Sequence, residues 1–358
     1  MAKKDRKGTE NPDKSGQKKT ITVKIPSVGN PMAVLTVVLL VLLALSVLYN
    51  VKLAKGAKTD VNATGLMYIC PTGQCDTKDI DEWSSGIGVS AKGYEADWAR
   101  SPIGLYLEGS KVAIVDVSSK ANYYTTMCEG TNLEAACTES KAAATETQKS
   151  ACESVKKVDE PVLEAFVVSY CPYGLQMQRV LTEVQKTIGK DVDIKVRYIG
   201  AVVDGKITSM HGEQEATENH RQICMREEQA SKYWDYISCF IKAGETDPCL
   251  DEAKIDKAKL TSCMSDANKG LKYAQVDFDG QNKYGVSGSP TLILNGEKAS
   301  EFDFGGRSVQ GVGSMLCCSM NKRSSGCDIQ VSTDQAATGF SQTYSAGGGS
   351  TGAAASCG

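Results

Sequence analysis

Cys171, followed by Pro172, Tyr173 and Gly174, is where residue types and spacing in this chain come closest to chemistry. The thiolate, not the thiol, attacks a disulfide, so a working cysteine needs a lowered pKa. Residues 162–169 are an apolar run of strand type, and 175–188 carry helical spacing through Leu175, Val180, Leu181, Val184 and Ile188. Cys171 therefore falls at a strand-to-helix junction, where unpaired N–H groups and the helix dipole favour negative charge. Pro172 suits the first helical position because it has no N–H to leave unpaired. A buried structural thiol is the plainer reading of a lone cysteine. Ser289-Pro290 opens a later strand, and a proline there, especially after a cis bond, offers its preceding backbone to an extended peptide.

The elements that must position these residues follow from periodicity. After the 175–188 helix, Gly189 marks its end, and 192–199 alternates as a second strand. Residues 208–275 read as a mostly helical insertion. The Asn295-Gly296 dipeptide sets a hairpin between strands at 291–294 and 298–304, and 307–320 supplies a last helix. The domain holding the site thus runs over 161–328. A smaller α/β domain at 65–131 precedes it, with a strand at 66–69, a helix at 76–83 and a hairpin of 103–107 with 112–117. Residues 132–160 form an Ala/Glu/Lys-rich helical linker, and 329–358 is expected to be a flexible tail, low in complexity.

Residues 1–30 are a basic tail: 1–25 carry eight Lys/Arg against three Asp/Glu, although the whole chain has a net charge of -3. Within 31–51, the apolar run 32–49 is just long enough to span a bilayer, with a tether at 52–64. The Lys/Arg asymmetry places the N-terminus in the cytoplasm and the later domains outside, in a signal-anchor arrangement at the cell membrane. Fourteen cysteines fit such an oxidising compartment. Zinc is the weaker explanation, because His211 and His220 are the only histidines and no paired C-x2-C knuckles occur. No metal or cofactor is expected, and nothing in the charge suggests nucleic acid.

SYCPYG, with GVSGSPTLILNG far downstream, resembles the thioredoxin superfamily, and more closely the bacterial Dsb oxidoreductases with their helical insertion. His211-Gly212-x-x-Glu215, then Asn219 and Cys224, is similar to the signature of the gamma-interferon-inducible lysosomal thiol reductases. The resemblance covers roughly 160–328. It implies an α/β thioredoxin-like fold with a helical insertion, a nucleophile at Cys171 and a cis-proline at Pro290. Two departures stand out. Gly174 sits where these families carry a second cysteine, and Ser209 and Ala216 replace the cysteines of the His-Gly signature. A Cys-x-x-Gly site cannot resolve a mixed disulfide internally, so a monothiol exchange or isomerisation is expected.

The small domain echoes the large one. Tyr68-Ile69-Cys70-Pro71-Thr72-Gly73 parallels the Cys171 stretch, and Ser101-Pro102 parallels Ser289-Pro290, so a reduced thioredoxin-like copy is expected, with Cys70, Pro71 and Cys75 as a possible second site. Cys70 and Cys75 could bridge only across an irregular loop. Cys224, Cys239, Cys249, Cys263, Cys317, Cys318 and Cys327 are read as structural braces, and four cysteines in the insertion allow three pairings. Cys357, on a long tether, could reach Cys171. The expected function is a membrane-anchored thiol–disulfide oxidoreductase or isomerase acting on cysteine-containing exported proteins or a redox partner. A non-catalytic adaptor and a disulfide-braced surface protein are the alternatives. An exchange protein should present one exposed thiol of low pKa.

Overall fold

The computed structural model describes residues 22–23, 64–73, 77–109, 111–345 and 357. The expected membrane span at 32–49 and Cys75 lie outside them; among the described residues no helix is long and apolar enough to cross a membrane. The chain divides into two compact units, with the boundary between Ser140 and Lys141.

The first unit is built on strands β1 (Thr22–Val23), β2 (Gly65–Cys70), β3 (Ala91–Glu95), β4 (Ile103–Glu108) and β5 (Lys111–Val115), with helices α1 (Thr77–Gly86) and α2 (Lys120–Thr131). Leu66, Tyr68 and Cys70 alternate inward and, with Ile80, Val115, Tyr123 and Met127, close its core. Ser119 caps α2 by accepting the Asn122 N–H, and Asn132 ends it in the left-handed region. Strand β3 and helix α2 were not among the expected elements. All but the first residue of β3 is exposed, so no hydrophobic alternation marks it; parallel pairing with β2 holds it. β1 pairs in parallel with β5, Thr22 opposite Lys111.

Helix α3 (Glu134–Ser154) follows. The second unit contains β6 (Val162–Val167), α4 (Pro172–Ile188), β7 (Asp193–Tyr198) and the small hairpin β8 (Ala201–Val203) and β9 (Lys206–Thr208). Helices α5 (Glu213–Glu228), α6 (Ala230–Ala243), α7 (Thr246–Glu252), α8 (Lys257–Ser265) and α9 (Lys272–Tyr284) come next, then β10 (Thr291–Leu294), β11 (Glu297–Ala299) and α10 (Val309–Cys318). The helical run therefore continues to Tyr284, past the expected 275. The hairpin's second strand stops at Ala299, and Glu301–Phe304 forms a 3-10 turn where strand was expected.

The four-stranded sheet has the order β11-β10-β6-β7, with β6 and β7 parallel and β10 antiparallel to both neighbours. Strands β5-β4-β2-β3 of the first unit repeat this order and these directions. Leu163, Val167, Leu175, Leu181, Val184 and Val196 are all buried between sheet and helices. Burying a side chain of this size contributes roughly 1.5–3 kcal/mol.

Five disulfides between described residues outside the candidate site brace the fold. Cys224–Cys263 and Cys239–Cys249 lie within the insertion, Cys317–Cys327 ties the end of α10, Cys152–Cys318 joins α3 to α10, and Cys128–Cys137 joins α2 to α3. Cys128, Cys137 and Cys152 were not among the expected braces.

His220, on α5, lies against Gly270, where a Cβ would come within 2.2 Å of Nε2. That nitrogen is buried without a hydrogen-bond partner, and burial, then the neighbouring Arg221, pull its pKa below the ordinary value. The unfolded chain binds the proton more readily, so stability is lost as pH falls below about 6.5. Denaturant midpoints measured from about pH 7.5 to 5 should decline in the wild type and flatten in His220→Gln. Parallel profiles would contradict this origin.

Candidate active site

Cys171 is the N-cap of α4, and its sulfur accepts the Gly174 N–H at 3.4 Å. Val168 O accepts the Cys171 N–H, closing the strand-to-helix turn. Pro172 occupies the first turn without leaving a donor orphaned. Tyr173 lies beneath the Arg307 guanidinium, 5.7 Å from ring centroid to its carbon, and Arg307 is held by Glu301. A thiolate at Cys171 would sit on the N-terminal end of a long helix, where its charge is favoured.

The peptide bond between Ser289 and Pro290 is cis. The Ser289 hydroxyl accepts the Val168 N–H at 3.0 Å, fastening the start of β10 to the end of β6. The Ser289 carbonyl oxygen lies 3.3 Å from Cys171 Sγ. Both sequence-predicted halves of the site, 118 residues apart, thus meet. In the first unit Pro102 precedes β4 in the equivalent place, but Ser289–Pro290 is the cis bond found among the described residues. Cys70 ends β2, is buried and is disulfide-bonded.

Cys171 is not an exposed thiol. It is fully buried and bonded to Cys357, 186 residues away. The Ser289 N–H donates to the Cys357 carbonyl at 2.7 Å, and the Cys357 N–H donates back to Ser289 O at 2.8 Å. These reciprocal bonds are an antiparallel bridge, so Cys357 lies on Ser289 as one residue of an added strand.

The His-Gly segment has a role that sequence reasoning missed. Glu215, fully buried, accepts the Tyr170 N–H at 3.1 Å, and Asn219 accepts the Ser169 N–H at 3.0 Å. These two side chains satisfy the backbone of the residues just before Cys171. His211 Nδ1 lies 2.7 Å from Glu215, and the Ser209 hydroxyl donates to the same carboxylate at 2.7 Å. The i, i+4 spacing of Glu215 and Asn219 on one helix face was the available signal.

Much of the final stretch, expected to be flexible, packs on the second unit instead. Arg179, buried on α4, donates to the carbonyls of Ala337, Gly339, Ser341 and, from α6, Ile241. Gln176 donates to Ala336 O at 2.7 Å, and Pro172 O accepts the Gly339 N–H. Phe340 packs edge-on against Tyr170 and Phe240. Small residues let this backbone lie close over the helix, so the composition that suggested disorder also permits docking.

The fold and site together are those of a thioredoxin-like domain, with a cysteine at a helix N-terminus facing a cis-proline. Residues 162–267 match the Gamma interferon inducible lysosomal thiol reductase (GILT) family. No curated protein matches the chain. Similar solved structures include oxidised BdbD from Bacillus subtilis (15% identity, TM-score 0.34, 45% of this chain and 89% of that one). Reduced DsbA1 from Neisseria meningitidis has 13% identity and a TM-score of 0.33 over 44% of this chain and 82% of that one. MdbA, a thiol-disulfide oxidoreductase from Actinomyces oris, has 13% identity and a TM-score of 0.33 over 44% and 80%.

Proposed function

We propose that the chain exchanges thiols and disulfides of exported proteins through Cys171, with Ser289 as the edge on which a cysteine-bearing segment docks. One observation carries this reading: a cysteine held by reciprocal backbone bonds to Ser289 is already disulfide-linked to Cys171. Backbone-only recognition would tolerate many substrate sequences. The first unit, with the same strand order, is read as a reduced copy of the same fold. Attachment to a membrane through 32–49 is proposed on apolarity alone. Protease protection of residues 1–30 in sealed vesicles tests it, because the β1–β5 pairing would require both flanks on one side.

Reduction of insulin disulfides by dithiothreitol tests the exchange reading with the full chain. The wild type should accelerate it, and Cys171→Ser should fall to the uncatalysed rate. Equal activity in both would assign the chemistry elsewhere. Acceleration by neither would favour a non-catalytic adaptor, which the complete burial of Cys171 and the glycine at 174 also suit.

A further inference from the structure

We infer that Cys357 is the resolving cysteine this site lacks on its helix, delivered in cis by the end of the same chain. The inference rests on the exchange reading and adds the second sulfur to it. Position 174 does not have room for that sulfur: a Cβ there would lie 2.6 Å from Ser289 Oγ and 2.7 Å from the Val168 carbonyl. The remaining described cysteines are all in disulfides, those at 128, 137, 152, 224, 239, 249, 263, 317, 318 and 327 with one another. Cys357 alone is placed against Cys171, and it takes the docking position on Ser289.

The chain is long enough for this. Residues up to Ser345 are anchored on the second unit, with Val309 N donating to the Tyr344 hydroxyl at 3.1 Å. Residues 346–356, all Gly, Ala, Ser or Thr, then separate Ser345 from Cys357. Such a length can reach roughly 40 Å when extended, so Cys357 could leave Ser289 and return without disturbing the anchored part.

The Cys171 thiolate attacks a substrate disulfide, forming a Cys171–substrate bond and releasing one substrate thiolate. The Cys357 thiolate then attacks Cys171 Sγ, the bond to substrate breaks, and the second substrate thiolate leaves to take a proton from water. Two electrons have passed from the cysteine pair to the substrate. An external dithiol must restore the pair by two further exchanges. Run backwards, the same steps oxidise a substrate dithiol. Because Cys357 and a substrate strand use the same Ser289 backbone groups, resolution and product displacement coincide, and the resolved state buries Cys171 completely.

The test equilibrates the full chain in glutathione redox buffers, quenches with acid and maps Cys171 by mass spectrometry. In the wild type, Cys171 should divide between the Cys357 disulfide and the free thiol, with its glutathione adduct scarce. Cys357→Ser and Cys357→Ala should raise that adduct about tenfold or more, since a tethered thiol acts at millimolar or higher effective concentration. An unchanged adduct level in both variants, or a wild type that holds glutathione on Cys171 as the main species, overturns the role of Cys357 while leaving exchange at Cys171 intact. If Cys171 takes up no glutathione in any form of the protein, the exchange reading fails, and the inference with it.

Discussion

Replacing Asp277 by alanine should cost the second unit about 3–5 kcal/mol, the scale of breaking a buried ion pair by removing one partner. Asp277, on α9, has no solvent exposure. Its carboxylate accepts from both terminal nitrogens of Arg226 at 2.8 and 3.0 Å, from Arg197 at 3.0 Å and from the Tyr198 N–H at 3.0 Å. Burial works against the charge on Arg226, but Asp277 outweighs it and leaves the guanidinium more firmly protonated than in water. Without Asp277 the Tyr198 N–H loses its acceptor in the buried sheet, and Arg226 and Arg197 lose the carboxylate they share, keeping only Glu227 with the Val196 carbonyl and Glu164 respectively. The groups left short of partners cost more than the contacts themselves were worth. Asp277→Asn should lose less, because an amide oxygen can still accept from Tyr198. Asp277→Ala combined with Arg226→Met should recover part of the loss, since the orphaned charge is then gone. Denaturant midpoints of the four proteins check this; a single-variant loss below about 1 kcal/mol, the scale of an exposed pair, would show the cluster to be solvated.

Gly174→Ala should destabilise the active-site turn by about 1–3 kcal/mol, the usual cost of forcing one extra carbon into a packed site. The clash falls on Ser289 Oγ and on the Val168 carbonyl, and the second cannot rotate away. Displacing Ser289 would break its bond to the Val168 N–H and misplace the docking backbone. Exchange at Cys171 should therefore slow along with the fall in midpoint. Gly174→Cys should behave likewise and not produce an efficient two-cysteine helix. Adding Ser289→Ala removes one of the two obstacles but also the acceptor of the buried Val168 N–H, so it should not restore the stability. A Gly174→Cys protein as stable as wild type, with its introduced sulfur bonded to Cys171, would refute this account of why the second sulfur is remote.

Cys171 could be placed from sequence because strand, turn and helix are each local. An apolar run, a Cys-Pro pair and a 3.6-residue apolar stripe lie within 27 residues, and Cys171 does cap the helix they foretell. Pro290 was visible for the same reason, ahead of a strand and an Asn-Gly turn. Strand β3 was not, because it has almost no buried face and is set by pairing.

The sequence by itself determined the helix that presents Cys171, the strand that follows Pro290 and the absence of a second thiol at 174. Only the tertiary structure decided which sulfur Cys171 meets, which carboxylate and amide hold the turn before it, and where residues 331–345 run. The physical reason is that these are non-local choices made by backbone groups. Every residue but proline carries the same N–H and C=O, so the Ser289–Cys357 bridge and the carbonyls gathered by Arg179 leave no pattern in side-chain types. Small residues over 331–345 looked like a chain with nothing to bury. They became ordered where Arg179 and Gln176 supplied the partners that their backbone needed, as Ser289 did for Cys357.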